Sequence, residues 1–180
     1  MLAGPVFSIK TLYKVVQGDH PIVGWRRIIC NVPGTPKAIF ITWLALHGRL
    51  PTKDRLNAWG LIEDATCKLC QADRETVPHL FFSCTVARRV WTICQQQLGF
   101  PTVNRSFQEE VQCVVQCSRS RSPQAQLYCI FFVEAIYQIW LNRNALVFQG
   151  SAMDVLASSR QILFRTACRS SEAMRPLLIT

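Results

Sequence analysis

Four residues of metal-ligating type fall within T-C-K-L-C-Q-A-D-R-E-T-V-P-H-L-F-F-S-C, and their spacing limits what this chain can fold into more than any other feature. Cys67, Cys70, His79 and Cys84 follow the pattern C-x2-C-x8-H-x4-C. Three thiols and one imidazole at such separations suit one tetrahedral Zn²⁺, with the C-x-x-C pair supplying half the cage. Four protein ligands fill the shell and leave no position for water, so the predicted role of the metal is structural, not catalytic. A Cys/His nucleophile is the enzymatic alternative for the same residues. It needs one activated thiolate and a third, orienting group, and nothing in the pattern singles out one cysteine. Cys94 is a spare thiol within a predicted helix, a substitute ligand only if His79 does not serve.

The body that carries this stretch is expected to be a folded, mostly helical domain. With 180 residues, 49% hydrophobic and 17% charged, the chain has the length and composition for a real core. Nine cysteines would suit a secreted disulfide framework, but the number is odd and residues 1–5 hold no basic leader segment followed by an apolar run. Reduced thiols in an intracellular setting, nucleus or cytoplasm, are therefore expected. Cys30, Cys94, Cys113, Cys117, Cys129 and Cys168, outside the motif, are read as small buried hydrophobes. The densest apolar run, 127–141, is shorter than the roughly 20 residues a bilayer requires and is interrupted by Glu134 and Gln138, so no membrane span is predicted.

Charge is unevenly spread. The net value is +9, and residues 1–60 hold eight basic and two acidic side chains, whereas residues 61–100 hold four of each. Zinc with three thiolates and a neutral imidazole adds −1, so the metal loop is the segment least attractive to phosphate. A basic surface is the footprint of a polyanion partner; here the flanking helices must provide it.

Helix punctuation is abundant. Pro36-Lys37 opens an apolar helix over 38–46 that Gly48 stops, and Thr52 precedes a short helix over 53–59. Thr85 is placed to cap 86–98, with Gly99 and Pro101 as its stop, and Ser106-Phe107-Gln108-Glu109 reads as a capping box for a helix to about residue 117. Ser122-Pro123 gives an N-cap and a first-turn proline to a long helix, 124–149, apolar on nearly every side and hence predicted to be central. Ser151-Ala152-Met153-Asp154 reads as a second capping box opening a last helix toward Glu172. The fold class is thus mostly α: a small helical bundle with an inserted zinc-binding loop. The expected hinge is Gly99 to Arg105 or, alternatively, the Ser/Arg-rich Ser118 to Ser122.

The chain resembles the reverse-transcriptase zinc-binding domain of plant non-LTR (LINE-type) retrotransposons and proteins derived from them. The residues that carry the resemblance are F-S-I-K-T-L-Y from Phe7, Trp25, P-K-A-I-F-I-T-W-L-A-L-H-G-R-L-P-T-K-D-R-L from Pro36, W-G-L-I from Trp59, the metal block itself, and A-R-R-V-W to Trp91. More loosely, I-Y-Q-I-W-L-N-R-N-A-L-V-F from Ile136 is similar to a W-x-x-R-N-x-x-x-F segment found after this domain. Pro78 stands where an acidic residue is expected before the histidine ligand. The resemblance implies a zinc-binding domain over 1–99, a helical extension over 100–180 packing on it, and a module carried beside a polymerase. No Tyr-x-Asp-Asp motif is present and only eleven acidic residues are scattered through the chain. Two-metal phosphoryl chemistry needs converging carboxylates, so no polymerase or ribonuclease H activity is expected.

For phosphate contact the candidates are Arg49, Lys53 and Arg55, with Arg88 and Arg89 just after the cage. Phe40, Trp43, Trp59, Phe81, Phe82, Trp91 and Trp140 occupy regular places in apolar helices and are expected in the core, with Phe81 and Phe82 anchoring the metal loop. The expected partner is RNA or DNA, with Zn²⁺ as cofactor and no small-molecule substrate. The alternatives are a scaffolding unit that docks on a polymerase or another protein, and a transposon remnant without function.

Overall fold

A computed structural model describes residues 8–18 and 22–178. Among the described residues eight α-helices run in chain order: α1 (Ile9–Gln17), α2 (Arg26–Asn31), α3 (Pro36–Leu46), α4 (Lys53–Ala58), α5 (Thr85–Gln97), α6 (Phe107–Cys117), α7 (Pro123–Gln149) and α8 (Val155–Arg169). A π-helical turn, His79–Ser83, precedes α5, and a 3₁₀ turn, Arg175–Leu178, closes the described chain. There is no strand among the described residues, only one isolated antiparallel bridge between Thr66 and Arg74.

Local chemistry accounts for most helix ends. Thr35 accepts from the Ala38 amide, and Ser106 with Glu109 forms the predicted capping box. Gly150 ends α7 at φ 67°, a conformation that glycine adopts without steric cost. Two caps differ from expectation. The α8 cap is Asp154, not Ser151: its carboxylate accepts from the Ala157 amide, a reach suited to a short acidic side chain. The α5 cap is Cys84, not Thr85, because the chain leaves the π turn in an extended conformation at that cysteine.

Helix α7 is the central element, as its all-round apolarity predicts; α3, α6 and α8 pack against it, and α5 packs on α8 and on the π turn. One continuous core joins Ile28, Ala45 and Leu50 to Phe107, Ile136 and Ile162, residues on both sides of Gly99. α3 approaches closely: a Cβ at Gly34 would lie 2.7 Å from Val133 Cγ2. An aromatic stack locks the middle. Trp91 lies flat on Phe131 at 4.4 Å between ring centres, and Phe82 stacks on Phe132 at 5.9 Å while meeting Trp91 edge-on.

The core expectation fails at two of the aromatics. Phe40 and Trp59 are 57% and 56% exposed. Phe40 stacks on half-buried Trp43 and Trp59 lies under the Arg55 guanidinium, so both are partly covered by neighbours on the surface instead of the core. Cys30 and Cys168 are likewise exposed, whereas Cys94 and Cys129 are buried as expected.

Three buried carboxylates tie remote segments together. Glu134 of α7 accepts from the Thr35 amide at 2.7 Å and faces Arg165 of α8 at 3.3 Å. Glu110 of α6 accepts from the Tyr128 hydroxyl and lies 3.5 Å from Arg105. Glu75, between two of the motif cysteines and the motif histidine and cysteine pair, accepts from Arg143 of α7 at 2.6 Å and from the Lys53 amide at the start of α4 at 3.0 Å. Glu75 and Arg143 are 0% and 2% exposed, so each needs the other to offset its desolvation. Arg143→Ala leaves the Glu75 charge buried and unmatched. It is expected to cost about 3–5 kcal/mol in urea unfolding, whereas Arg160→Ala at an exposed site on α8 is expected to change stability little.

Candidate metal centre

The loop between α4 and α5 brings all four motif residues to one point. Their ligand atoms lie within 4.8 Å of one another, with Cys67, His79 and Cys84 buried and Cys70 half-buried. Cys67 Sγ is 4.0 Å from Cys84 Sγ, and Cys70 Sγ is 3.3 Å from His79 Nε2. A tetrahedron with zinc–sulfur bonds of about 2.3 Å has sulfur–sulfur edges of about 3.8 Å, and a sulfur–nitrogen edge slightly shorter. The donor set fits such an ion.

Each ligand is positioned by backbone bonds. The first cysteine lies on a narrow ladder: the Cys67 amide donates to Asp73 O at 2.7 Å and the Glu75 amide to Ala65 O at 2.8 Å. Between these the chain turns back through the Gln71 amide bonded to Cys67 O, with Gln71 at φ 54°, an uncommon conformation for a residue with a side chain. Thr76 begins the second half, its hydroxyl accepting from the His79 amide at 3.1 Å. The π turn then follows, and the Cys84 amide closes on His79 O at 2.6 Å. The wider π turn sends Phe81 and Phe82 into the core while His79 and Cys84 face the cage.

The electrostatics prepare these groups for a cation. Burial holds the His79 imidazole below its ordinary pKa, opposed by Asp73 and Glu75, so it is neutral at pH 7 with a lone pair to give. Its Nε2 faces Cys70, and its Nδ1 lies 3.8 Å from Asp73 Oδ2. Asp73 thus occupies the outer place for which the residue before His79 was expected to be acidic. Contact with the Cys67 thiol lowers the Cys84 pKa, and the amides of Ala87 and Val86 at the start of α5 add to this, although no side-chain cap bond forms. The same contact, with burial, raises that of Cys67. Cys94 is not a ligand: its thiol is buried against Ser159 O at 3.8 Å.

The candidate phosphate ligands fare differently. Lys53 must be corrected: it is 7% exposed, and its ammonium donates to Asp64 at 2.6 Å and to Thr66 O at 2.9 Å. That contact holds the Asp64 carboxyl well below its usual range. Lys53 therefore braces the loop, with two of its three ammonium donors spent inside the fold. Arg55 donates to Gly48 O and covers Trp59, and Arg88 donates through Nε to Phe82 O at 3.1 Å, so both are half engaged. Arg49, beside Trp43, and Arg89 are exposed. Sequence reasoning missed Asp73, Glu75 and Arg143. A visible sign existed for the last, an arginine within an otherwise apolar helix.

Four residues of ligating type gathered at one point on a helical body make a candidate metal site. Residues 7–91 match the family described as zinc-binding in reverse transcriptase. That family is a zinc-binding module, distinct from the catalytic polymerase domain. No curated protein and no solved structure matches the chain.

Two outcomes follow for the centre. In the metal-free fold the His79 pKa lies below its ordinary value, so the unfolded chain takes up that proton first as the pH falls, and this group's contribution is complete above about pH 6.5 and lost as the pH falls below it. Proton competition for the thiolates acts in the same direction. The melting temperature of metal-loaded protein should therefore hold between pH 7 and 8, fall below about 6.5, and drop at neutral pH on chelation; a melt indifferent to chelator would contradict the centre. Asp73→Asn should weaken zinc affinity about three- to tenfold by competition with a chromophoric chelator. That is less than the 10- to 100-fold typical of a directly bonded outer partner, because the contact is long and Asp73 is exposed.

Proposed function

We propose that this chain is a non-catalytic accessory module in which one Zn²⁺, held by Cys67, Cys70, His79 and Cys84, fixes a loop to a helical body that contacts nucleic acid through exposed arginines. The closed Cys₃His set carries the zinc reading, since it suits that ion and offers no open coordination site. It also supports the absence of catalysis, as does the employment of the buried carboxylates Glu75, Glu110 and Glu134 in internal ion pairs.

The nucleic-acid reading is supported by the net charge of +9 and by the accessibility of its carriers. Arg26, Arg27, Arg49, Arg89, Arg119, Arg121, Arg160 and Arg169 are exposed and none forms an ion pair among the described residues. Guanidinium groups left in water suit phosphate by charge and by their forked geometry.

A second reading, docking on a polymerase or another protein, draws on large exposed apolar side chains: Leu156 and Phe164 on α8, Phe148 at the end of α7, and Ile9, Val15 and Val16 on α1. No helix of the described residues is long and apolar enough to cross a membrane.

Fluorescence anisotropy with a labelled single-stranded oligonucleotide, over 50–200 mM salt, separates the two. Contact with three or four phosphates predicts a log–log slope of about −2 to −3. Absent or salt-insensitive binding, with self-association in sedimentation, would favour the docking surface instead.

A further inference from the structure

The exposed arginines are not evenly placed. A cleft of about 500 Å³ opens where the end of α2, the turn between α6 and α7, and the end of α8 meet. Arg27 and Arg169 line it, together with Asn31, Ser120, Gln126 and Ser171, while Val32 and Met174 supply apolar wall. No carboxylate is among the lining residues. Its size is that of a pocket for one small ligand or one nucleotide, not for the convex cylinder of a duplex.

The donors in this cleft are largely unspent. Arg27 and Arg169 form no ion pair among the described residues. Ser120 accepts from the Ser122 amide at 3.1 Å, which leaves its hydroxyl proton free to donate. By contrast, Ser118 and Ser170 already donate to Val115 O and Thr166 O. Arg119 and Arg121, adjacent to Ser120 in the chain, are exposed.

A helix-dipole explanation covers only half of this. Arg169 closes α8, where the carbonyl end of a helix favours a cation, and needs no ligand to explain it. Arg27 lies in the first turn of α2, where the dipole has the opposite sign. Its placement has no internal reward. The carbonyl ends of α2, α6 and α8 reach the same region through Asn31, Ser118 and Ser170, and alone they would repel an anion. The two guanidinium groups reverse that sign.

We propose that this cleft is the phosphate grip of the module: Arg27 and Arg169 fork onto one phosphodiester of a single-stranded nucleic acid, Ser120 adds a hydroxyl donor, and Arg119 and Arg121 hold the neighbouring phosphates. The inference rests on the nucleic-acid reading above, and moves the contact from the arginines beside the metal to the end of the bundle where α2, α6 and α8 finish.

The test uses the full zinc-loaded chain and a fluorescein-labelled U12 RNA, with anisotropy measured across a salt series. The double variant Arg27→Ala/Arg169→Ala is compared with Lys37→Ala/Arg160→Ala, which removes equal charge from exposed sites elsewhere. All are first matched by thermal melt and zinc content. The cleft variant should lose tenfold or more in affinity, and its salt slope should become shallower by about 0.7, the value for one single-strand phosphate contact. The comparison variant should lose less than about threefold with nearly the same slope. Equal losses in both variants, with wild type binding, would overturn the cleft and leave the broader reading standing. Absence of wild-type binding at 50 mM salt would overturn both.

Discussion

Four ligand atoms gathered within 4.8 Å constrain this molecule more than any other contact. The loop that carries them has little else of its own. One β-bridge and a few backbone bonds shape its first half, and a single π turn its second. Bonds from one ion to Cys67, Cys70, His79 and Cys84 would close both halves at once. The closed loop is then attached to the body at three kinds of contact. Phe81 and Phe82 enter the aromatic stack, Glu75 meets Arg143 of α7, and Lys53 of α4 clasps Asp64 and Thr66. Coordination thus acts through a short, dense set of contacts on the central helix.

Much of this was legible in the sequence because the signals were local. Capping at Ser106, the glycine stop at Gly150 and the all-round apolarity of α7 each depend on residues close in the chain. The cluster of Cys67, Cys70, His79 and Cys84 was legible for the same reason: their spacing and type already pointed to one shared centre, where the fold gathers them. The α8 start was misplaced because Ser151 and Asp154 both have cap chemistry, and only the fold decides which one reaches an amide. Phe40 and Trp59 were misassigned because an aromatic in an apolar segment carries no mark of which face the body covers. The Glu75–Arg143 pair, 68 residues apart in the chain, left no local pattern on the acidic side.

Basic residues show why counting charge is a weak guide to a binding surface. Lys53, Arg55 and Arg88 looked like phosphate ligands by their position near the cage. Lys53 is spent on Asp64 and Thr66 O inside the fold, whereas Arg55 and Arg88 each commit only part of the guanidinium to a carbonyl. Arginines distant in sequence, Arg27 and Arg169, share a cleft with free donors and no carboxylate. Fold proximity assembles what the sequence scatters, and internal partners remove what the sequence groups.

X-ray absorption at the zinc edge of the purified chain tests the central claim most directly, since it reads the first coordination shell without reference to fold or function. The account predicts one zinc with about three sulfurs near 2.3 Å and one nitrogen near 2.0–2.1 Å. A shell dominated by oxygen or nitrogen, or one with fewer than three sulfurs, would contradict it.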